Sequence, residues 1–293
     1  MKTNRAEVGE KIAQKIRESI DEIIEIKYFE KKGNNGVIVE QIQVRKKDER
    51  VGVRIYIGDM IDKYQEGTVT LQEAGIYVLN QALQATDDKN AVQLNKIAEE
   101  MSCEKILSNV ICQLLNYERN KEILERIPHT KWLDLAIVYR CNLDEISGSF
   151  LVTNEMLKQY DISLETLKQE AFENTSNENF KVKTMAEMMG LPGIGEDLIV
   201  ATTEKDIYGA VVMTFTCVLD EISKQMDESD LYILPSSVHE VIIVKAEEFE
   251  KSKDLIDIVR EVNASDAVLD TDILSDNIYK YTADDKCVTL LGK

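Results

Sequence analysis

Apolar residues near the start of the chain recur every four positions. Val8, Ile12, Ile16 and Ile20 line one face of an amphipathic helix predicted from about Arg5 to Ser19. The period then shortens to two. Ile24, Ile26 and Tyr28 alternate with polar residues, Val37 to Val44 follows the turn Gly33-Asn34-Asn35-Gly36, and Val51, Val53, Ile55 and Ile57 alternate after a charged turn. A helix followed by three strands on short turns describes a helix packed on an antiparallel meander. A short helix is expected from Gly58 to about Tyr64. Thr70 with Glu73 has capping-box spacing and opens a helix from Leu71 to about Ala85. The pattern breaks over residues 86–90 and resumes as helix over Ala91 to Glu100.

The second two-thirds reads as strands mixed with helices. Ile106 to Leu115 fits either state, with strand favoured in its second half. Asn120 to Arg126 should be helical and end before Pro128, because the residue preceding a proline avoids the α region. Leu133 to Val138 reads as a central strand, and Ser147-Gly148 opens a return strand, Ser149 to Val152. Asn154 should cap a helical turn to Tyr160. Ser163 should start a helix over Leu164 to Glu173, followed by a polar loop, Asn174 to Asn179. A short helix is expected from Thr184 to Gly190, a strand at Leu198 to Ala201, and a long helix over Gly209 to Met226. Glu247 to Asn263 is amphipathic through Leu255, Ile258, Val259 and Val262. Asn277 to Tyr281 and Cys287 to Leu291 would form a terminal hairpin.

The stretch from Asp230 to Val244, DLYILPSSVHEVIIV, organises this part of the chain. Two short β-branched runs flank a Pro-Ser-Ser turn, and runs of this length suit buried strands. Pro128 and Pro235 are each followed within a few residues by a histidine and an apolar strand. They are expected to launch inner strands of a single sheet. The fold class is therefore α+β: an N-terminal helix on a three-stranded antiparallel meander, then a larger mixed or antiparallel sheet with helices. The expected division is 1–95 and 96–293.

Composition narrows the class. The 293 residues are 44% hydrophobic and 30% charged, the balance of a water-soluble globular protein. No apolar run is long enough to cross a bilayer, and the charged N-terminus carries no secretory h-region. Five scattered cysteines without a CxxC pair read as reduced, mostly buried thiols, with Cys112 and Cys217 as core examples. The expected location is the cytoplasm. A net charge of −19 argues against contact with nucleic-acid phosphates or anionic membranes. It serves solubility, or, as an alternative, mimicry of nucleic acid toward a basic partner.

Five segments carry a family resemblance: NYERNKEILERIPHTKWLDLAIVY, TNEMLKQYDISLETLKQEAFENT, DIYGAVVM, LYILPSSVHEVIIV and REVNASDAVLDTDILSDNIYKY. The chain resembles a bacterial family of unknown function that is common in anaerobic Gram-positive genomes. The resemblance spans most of the chain and implies architecture without assigning catalytic residues. The helix-strand-Pro-strand portion is also similar to another uncharacterised bacterial family.

His129 and His239 are the two histidines. If their strands were neighbours, both rings would meet at one sheet end, with Asp134, Ser236, Ser237 and Glu240 nearby. An imidazole beside a carboxylate can act as a base or a metal ligand. The plainer alternative is two strand-end histidines bonded to turn backbone. His239-Glu240 lacks the second histidine of a zinc-protease helix, and two histidines with no paired cysteines do not supply a closed zinc site. Gly190 to Gly195 lacks the order of a dinucleotide fingerprint and the P-loop lysine. Ser149 lacks the second glycine of a nucleophile elbow. Asp270, Asp272 and Asp276 lack calcium-loop spacing. With no complete catalytic constellation, the leading expectation is a non-catalytic binding or interaction protein. An enzyme or metal-binding protein using His129 and His239 is the alternative. The cofactor and the protein or small-molecule partner stay open.

Overall fold

The computed structural model describes residues 4–20, 24–47, 52–85, 96–97, 99–143, 148–191, 193–227, 229–249, 252–265 and 267–292. They fall into two compact units, one within Met1–Met101 and one within Ser102–Leu143 plus Gly148–Lys293.

The first unit follows its sequence pattern closely. Helix α1 (Arg5–Arg17) precedes a three-stranded antiparallel sheet, β1 (Ile24–Lys32), β2 (Ile38–Lys46) and β3 (Val53–Tyr56), with helices α2 (Gly58–Gln65) and α3 (Leu71–Ala85) after it. Val8, Ile12 and Ile16 pack against Ile26, Ile42, Ile61 and Val78 in one core. Thr70 and Glu73 make the capping box: the Thr70 backbone N–H donates to Glu73 Oε2 at 2.8 Å and the Glu73 N–H donates to Thr70 Oγ1 at 3.2 Å. Glu40 is a buried carboxylate on β2. Its charge is met by the Arg5 guanidinium of α1, which also pairs with Asp62. These carboxylates raise the Arg5 pKa, chiefly through their hydrogen bonds to it. The helix expected over Ala91 to Glu100 lies largely outside the described residues.

The second unit contains two sheets. In the first, β4 (Val110–Asn116) pairs with β6 (Leu135–Leu143), whose other edge pairs with β5 (His129–Trp132) and β7 (Gly148–Leu151). The second sheet has the order β13-β12-β10-β11-β9-β8, all antiparallel. Its strands are β8 (Phe180–Thr184), β9 (Ile199–Thr203), β10 (Leu231–Leu234), β11 (Glu240–Lys245), β12 (Ile278–Thr282) and β13 (Cys287–Leu291). Pro128 and Pro235 therefore serve different sheets, which corrects the single-sheet expectation. The reason lies in residues 133–134. Trp132 pairs directly with Leu135, and Leu133 takes a left-handed φ of 54°, so the chain turns back at once. What reads as one strand from Leu133 is a turn followed by β6. The strand after Pro128 lies at the sheet edge, not inside it.

Other expectations are corrected locally. Cys103–Asn109 is a helix (α4) that passes straight into β4, and Lys121–Leu124 (α5) is a single turn. Thr153, not Asn154, caps the helix Asn154–Gln159 (α6), with its side chain accepting from the Met156 N–H. The helix opened by Ser163 runs over Leu164–Asn177 (α7) and absorbs most of the expected polar loop, because its apolar face continues to buried Ala171 and Thr175. β8 was not anticipated; it is a sheet edge with Lys181 and Lys183 alternating along it. Met185–Met189 (α8) has a complete Thr184/Glu187 capping box and ends at Gly190 in a left-handed conformation. The long helix expected over Gly209 to Met226 is two elements. Gly209–Thr214 is a buried 3-10 segment lying against β4, β9 and β11, and Thr216–Gln225 is helix α9. Helix α10 (Ser252–Asn263) covers the second sheet through Leu255, Ile256 and Val259.

Asp134 joins the two sheets. Its carboxylate accepts from Ser275 Oγ at 2.7 Å, Asn277 Nδ2 at 3.0 Å and the Tyr279 hydroxyl at 2.8 Å. The Trp132 ring stacks on Tyr279 at 5.8 Å, and Asn116 Nδ2 donates to the Leu274 carbonyl at 3.0 Å. Burial first, and then the Asp134 charge, push the Tyr279 phenol far above its ordinary pKa. Asp134→Ala is expected to cost about 3 kcal/mol, because it strands a buried hydroxyl and removes charge-assisted bonds, and Tyr279→Phe about 1 kcal/mol. Denaturant unfolding of the full chain measures both.

The cysteines divide by position. Cys112 is buried on β4, whereas Cys217 is exposed on α9, off the face formed by Leu219 and Ile222. The expectation of a buried Cys217 is thereby corrected. Burial pushes the Cys112 thiol up to about 12, against a smaller opposing effect of the Thr175 hydroxyl. An unfolded thiol ionises near about 8.5. This residue's contribution to stability is therefore complete below that pH and is lost as pH rises toward 12. Cys112 should account for about 2 kcal/mol of lost stability between pH 8.5 and 10. Denaturant titrations of the native protein and Cys112→Ala at both pH values measure the difference.

Candidate functional site

The structure separates the residues expected to form one site. His129 opens edge strand β5 opposite Val138, and its Nδ1 lies 3.1 Å from the Ile127 carbonyl, to which it donates. Its ring tilts against Tyr117 at 6.1 Å, and Lys131 Nζ lies over the Tyr117 ring at 4.4 Å. Asp134 is spent on the bonds that join the two sheets. Ser236, Ser237, His239 and Glu240 do come together, in the turn between β10 and β11. Ser236 Oγ donates to Glu240 Oε1 at 3.3 Å, and Ser237 Oγ accepts the His239 backbone N–H at 3.0 Å. The Ser237 backbone N–H donates to the Glu240 carbonyl at 3.3 Å. Their side chains mostly close the turn. Among the described residues, His129 on β5 and His239 in the turn before β11 belong to strands and turns of different sheets and share no partner, and no group of three or more His, Cys, Asp or Glu is placed to hold a metal ion.

His239 belongs to a different cluster. Its ring stacks on Tyr208 with centroids 5.6 Å apart and planes at 24°. The Tyr208 backbone N–H donates to His239 Nδ1 at 3.3 Å. That bond makes Nδ1 the acceptor and places the ring proton on Nε2, which faces Asp272 Oδ2 at 3.7 Å. The guanidinium carbon of Arg140 lies 4.7 Å from the centroid of the Tyr208 ring. A guanidinium, a phenol and an imidazole are thus layered in sequence, the first from β6 and the others from segments flanking the second sheet.

Local chain geometry holds this arrangement. Tyr208 has a left-handed φ of 57°, a conformation that costs a bulky residue of order 1 kcal/mol. Gly209 lies so close to β9 that an added Cβ would stand 2.3 Å from Thr202 Oγ1 and 2.5 Å from the Thr203 nitrogen. Thr202 Oγ1 itself donates to the His239 carbonyl at 2.8 Å, linking β9 to the same turn. The Val238 N–H donates to the Asp272 carbonyl at 2.8 Å, which fixes Asp272 beside the imidazole.

Arg140 is half-buried on β6. Nε donates to Gln113 Oε1 at 2.8 Å and Nη1 to Ser149 Oγ at 3.0 Å. Burial lowers its pKa, and Tyr208 opposes that in part. Spacing along the chain does not mark Gln113, Arg140, Tyr208 and Asp272 as a group. Two signals were present: one arginine ending the apolar run Leu135 to Tyr139, and an aromatic residue directly before the glycine of DIYGAVVM. Gly209→Ala is expected to cost about 1–3 kcal/mol through overpacking and to displace Tyr208 from His239. Denaturant unfolding reads the first effect, and loss of the ring-current shift on the His239 imidazole protons reads the second.

Among the described residues, no helix is long and apolar enough to cross a membrane. Neither a curated protein nor a solved structure matches the chain. The model of one family, described as a family of unknown function (DUF5688), matches residues 6–283, and the chain belongs to that family.

Proposed function

We propose that the protein acts by binding a ligand or partner, without turning over a substrate, and that the layered Arg140, Tyr208 and His239 side chains form its contact surface. The observation that carries this reading is the engagement of both His239 nitrogens. Nδ1 accepts a backbone N–H, and the proton on Nε2 faces Asp272. A general base needs a lone pair directed at the substrate, and this ring's lone pair is in use. The surface is also preorganised. The backbone on both sides of Tyr208 is pinned, so little side-chain freedom is lost when something docks. The thiols of Cys103, Cys112, Cys217 and Cys287, which form no disulfide among the described residues, support a reducing, cytoplasmic setting.

A metal or catalytic role for the histidines has one observation in its favour. His129 Nδ1 donates to a carbonyl, which leaves the Nε2 lone pair available, as in many ligating histidines. Elemental analysis of the purified chain decides that reading. The nucleic-acid mimic is less favoured: acids such as Glu10, Glu25, Glu118, Asp206 and Asp220 alternate with cationic partners across both units.

Thermal-shift screening of the full chain against a metabolite collection tests the binding reading. Compounds that raise the melting temperature saturably in the native protein should lose that effect in Tyr208→Ala. Robust turnover of any compound, abolished in His239→Ala, would overturn it.

A further inference from the structure

We infer that Gln113, Arg140 and Ser149 form a binding site for a small oxyanion, the carboxylate or phosphoryl group of a metabolite. The inference rests on the binding reading above and names the ligand chemistry for the same surface.

The three residues come from three adjacent strands, β4, β6 and β7. Arg140 lies opposite Leu151 and Ile111 in the two ladders, Gln113 lies opposite Val138, and Ser149 lies opposite Asn142. Residues 138, 140 and 142 of β6 share a face, so all three side chains rise from the same side of the sheet.

The charge on Arg140 is not offset by its two hydrogen-bond partners, which are neutral. A half-buried guanidinium ordinarily has a carboxylate partner, because desolvating an unpaired charge is costly. Among the described residues, no carboxylate oxygen is paired with Arg140. Its polar contacts are the neutral Gln113 Oε1 and Ser149 Oγ, and its other neighbour is the face of Tyr208. Three of the described carboxylates have cationic or imidazole neighbours of their own. Glu178 faces Lys205 and Asn142, Asp206 pairs with Lys181, and Asp272 faces His239.

Gln113 supplies the second observation. It is 4% exposed, so its side chain is almost wholly buried. The bond from Arg140 Nε to Oε1 fixes the amide orientation and turns the Nε2 donors the other way. Among the described residues, those donors have no protein acceptor, and neither does Arg140 Nη2. Ser149, whose oxygen already accepts from Arg140, has its hydroxyl proton to give and is exposed, so the group opens to solvent on that side. A guanidinium, an amide NH₂ and a hydroxyl therefore present donors that no acceptor among the described residues takes up. That is the complement of an oxyanion, which accepts several hydrogen bonds at once. A single cation in a chain of net charge −19 suits one small anionic group and not a polyphosphate backbone.

The test is a titration of the full chain with sodium phosphate and, separately, sodium acetate. Sodium chloride holds the ionic strength constant, and nitrogen–proton spectra follow the Gln113 side-chain amide and the Arg140 Nε–H. Saturable movement of these resonances is expected with at least one of the two anions. Response to phosphate alone assigns the ligand group as phosphoryl, and response to acetate alone as carboxylate. Gln113→Glu sets an internal carboxylate against Arg140 and should weaken binding about tenfold or more. Arg140→Gln should do the same. If either variant fails to fold, Ser149→Ala on the exposed side should still weaken binding about threefold, as loss of a weaker bond. Flat titrations with both anions, or saturable shifts that persist undiminished in the folded variants, would overturn the assignment. Flat titrations alongside compounds whose stabilisation depends on Tyr208 would leave the binding reading standing without an oxyanion.

Discussion

The carboxylate of Asp134 is the constraint on which the second unit depends. Three donors from residues 275, 277 and 279 converge on one turn between β5 and β6. A carboxylate taken from water is tolerated when hydrogen bonds replace its hydration, and here each donor comes from the other sheet or the segment leading into it. The interaction does more than tie two surfaces. It fixes the angle at which β6 meets the second sheet, with Trp132 lying flat on Tyr279 beside it. Arg140 projects from β6, whereas Tyr208 and His239 flank the second sheet. Their layering thus depends on a contact made elsewhere in the molecule.

Much of the scaffold was legible because it rests on local rules. The four-residue repeat of α1, the alternation of β1 to β3 and the Thr70/Glu73 box each combine a hydrophobic period with a cap or turn. The paired runs around Pro235 formed β10 and β11 for the same reason. Elements set by tertiary contact were hidden. Gly209 to Phe215 is apolar enough for a buried helix, yet its glycine must pass against Thr202, and the segment tightens to a 3-10 form beneath β9 and β11. Leu133 carries no turn signature, but pairing of Trp132 with Leu135 requires it to reverse the chain. β8 has only five residues and ranks as a strand because β9 lies beside it.

The candidate site was less visible than the fold. Histidines drew attention because their chemistry is conspicuous, and one of the two does stand in the cluster. Its companions, however, are separated from it by 31 to 126 positions. Gln113 looks like an ordinary polar residue in an apolar strand until Arg140 is seen to lie diagonally across the ladder. Ser236, Ser237 and Glu240 suggested reactive groups, but their side chains close a turn. What distinguishes the cluster is which bonds each group has left to make, and spacing along the chain does not carry that information.

The lysines of β8 have a consequence for how molecules of this protein meet one another. An outer strand offers unsatisfied backbone groups to any passing chain, and a row of cationic side chains there repels a second copy bearing the same row. Lys183 is exposed, while Lys181 is neutralised by Asp206, so the barrier rests mainly on one side chain. The opposite rim, β13, reads Cys-Val-Thr-Leu-Leu and carries no charge. The second sheet thus has one guarded margin and one unguarded margin, so sheet extension would stop at a β13-to-β13 pair, each copy turning only its guarded β8 margin outward.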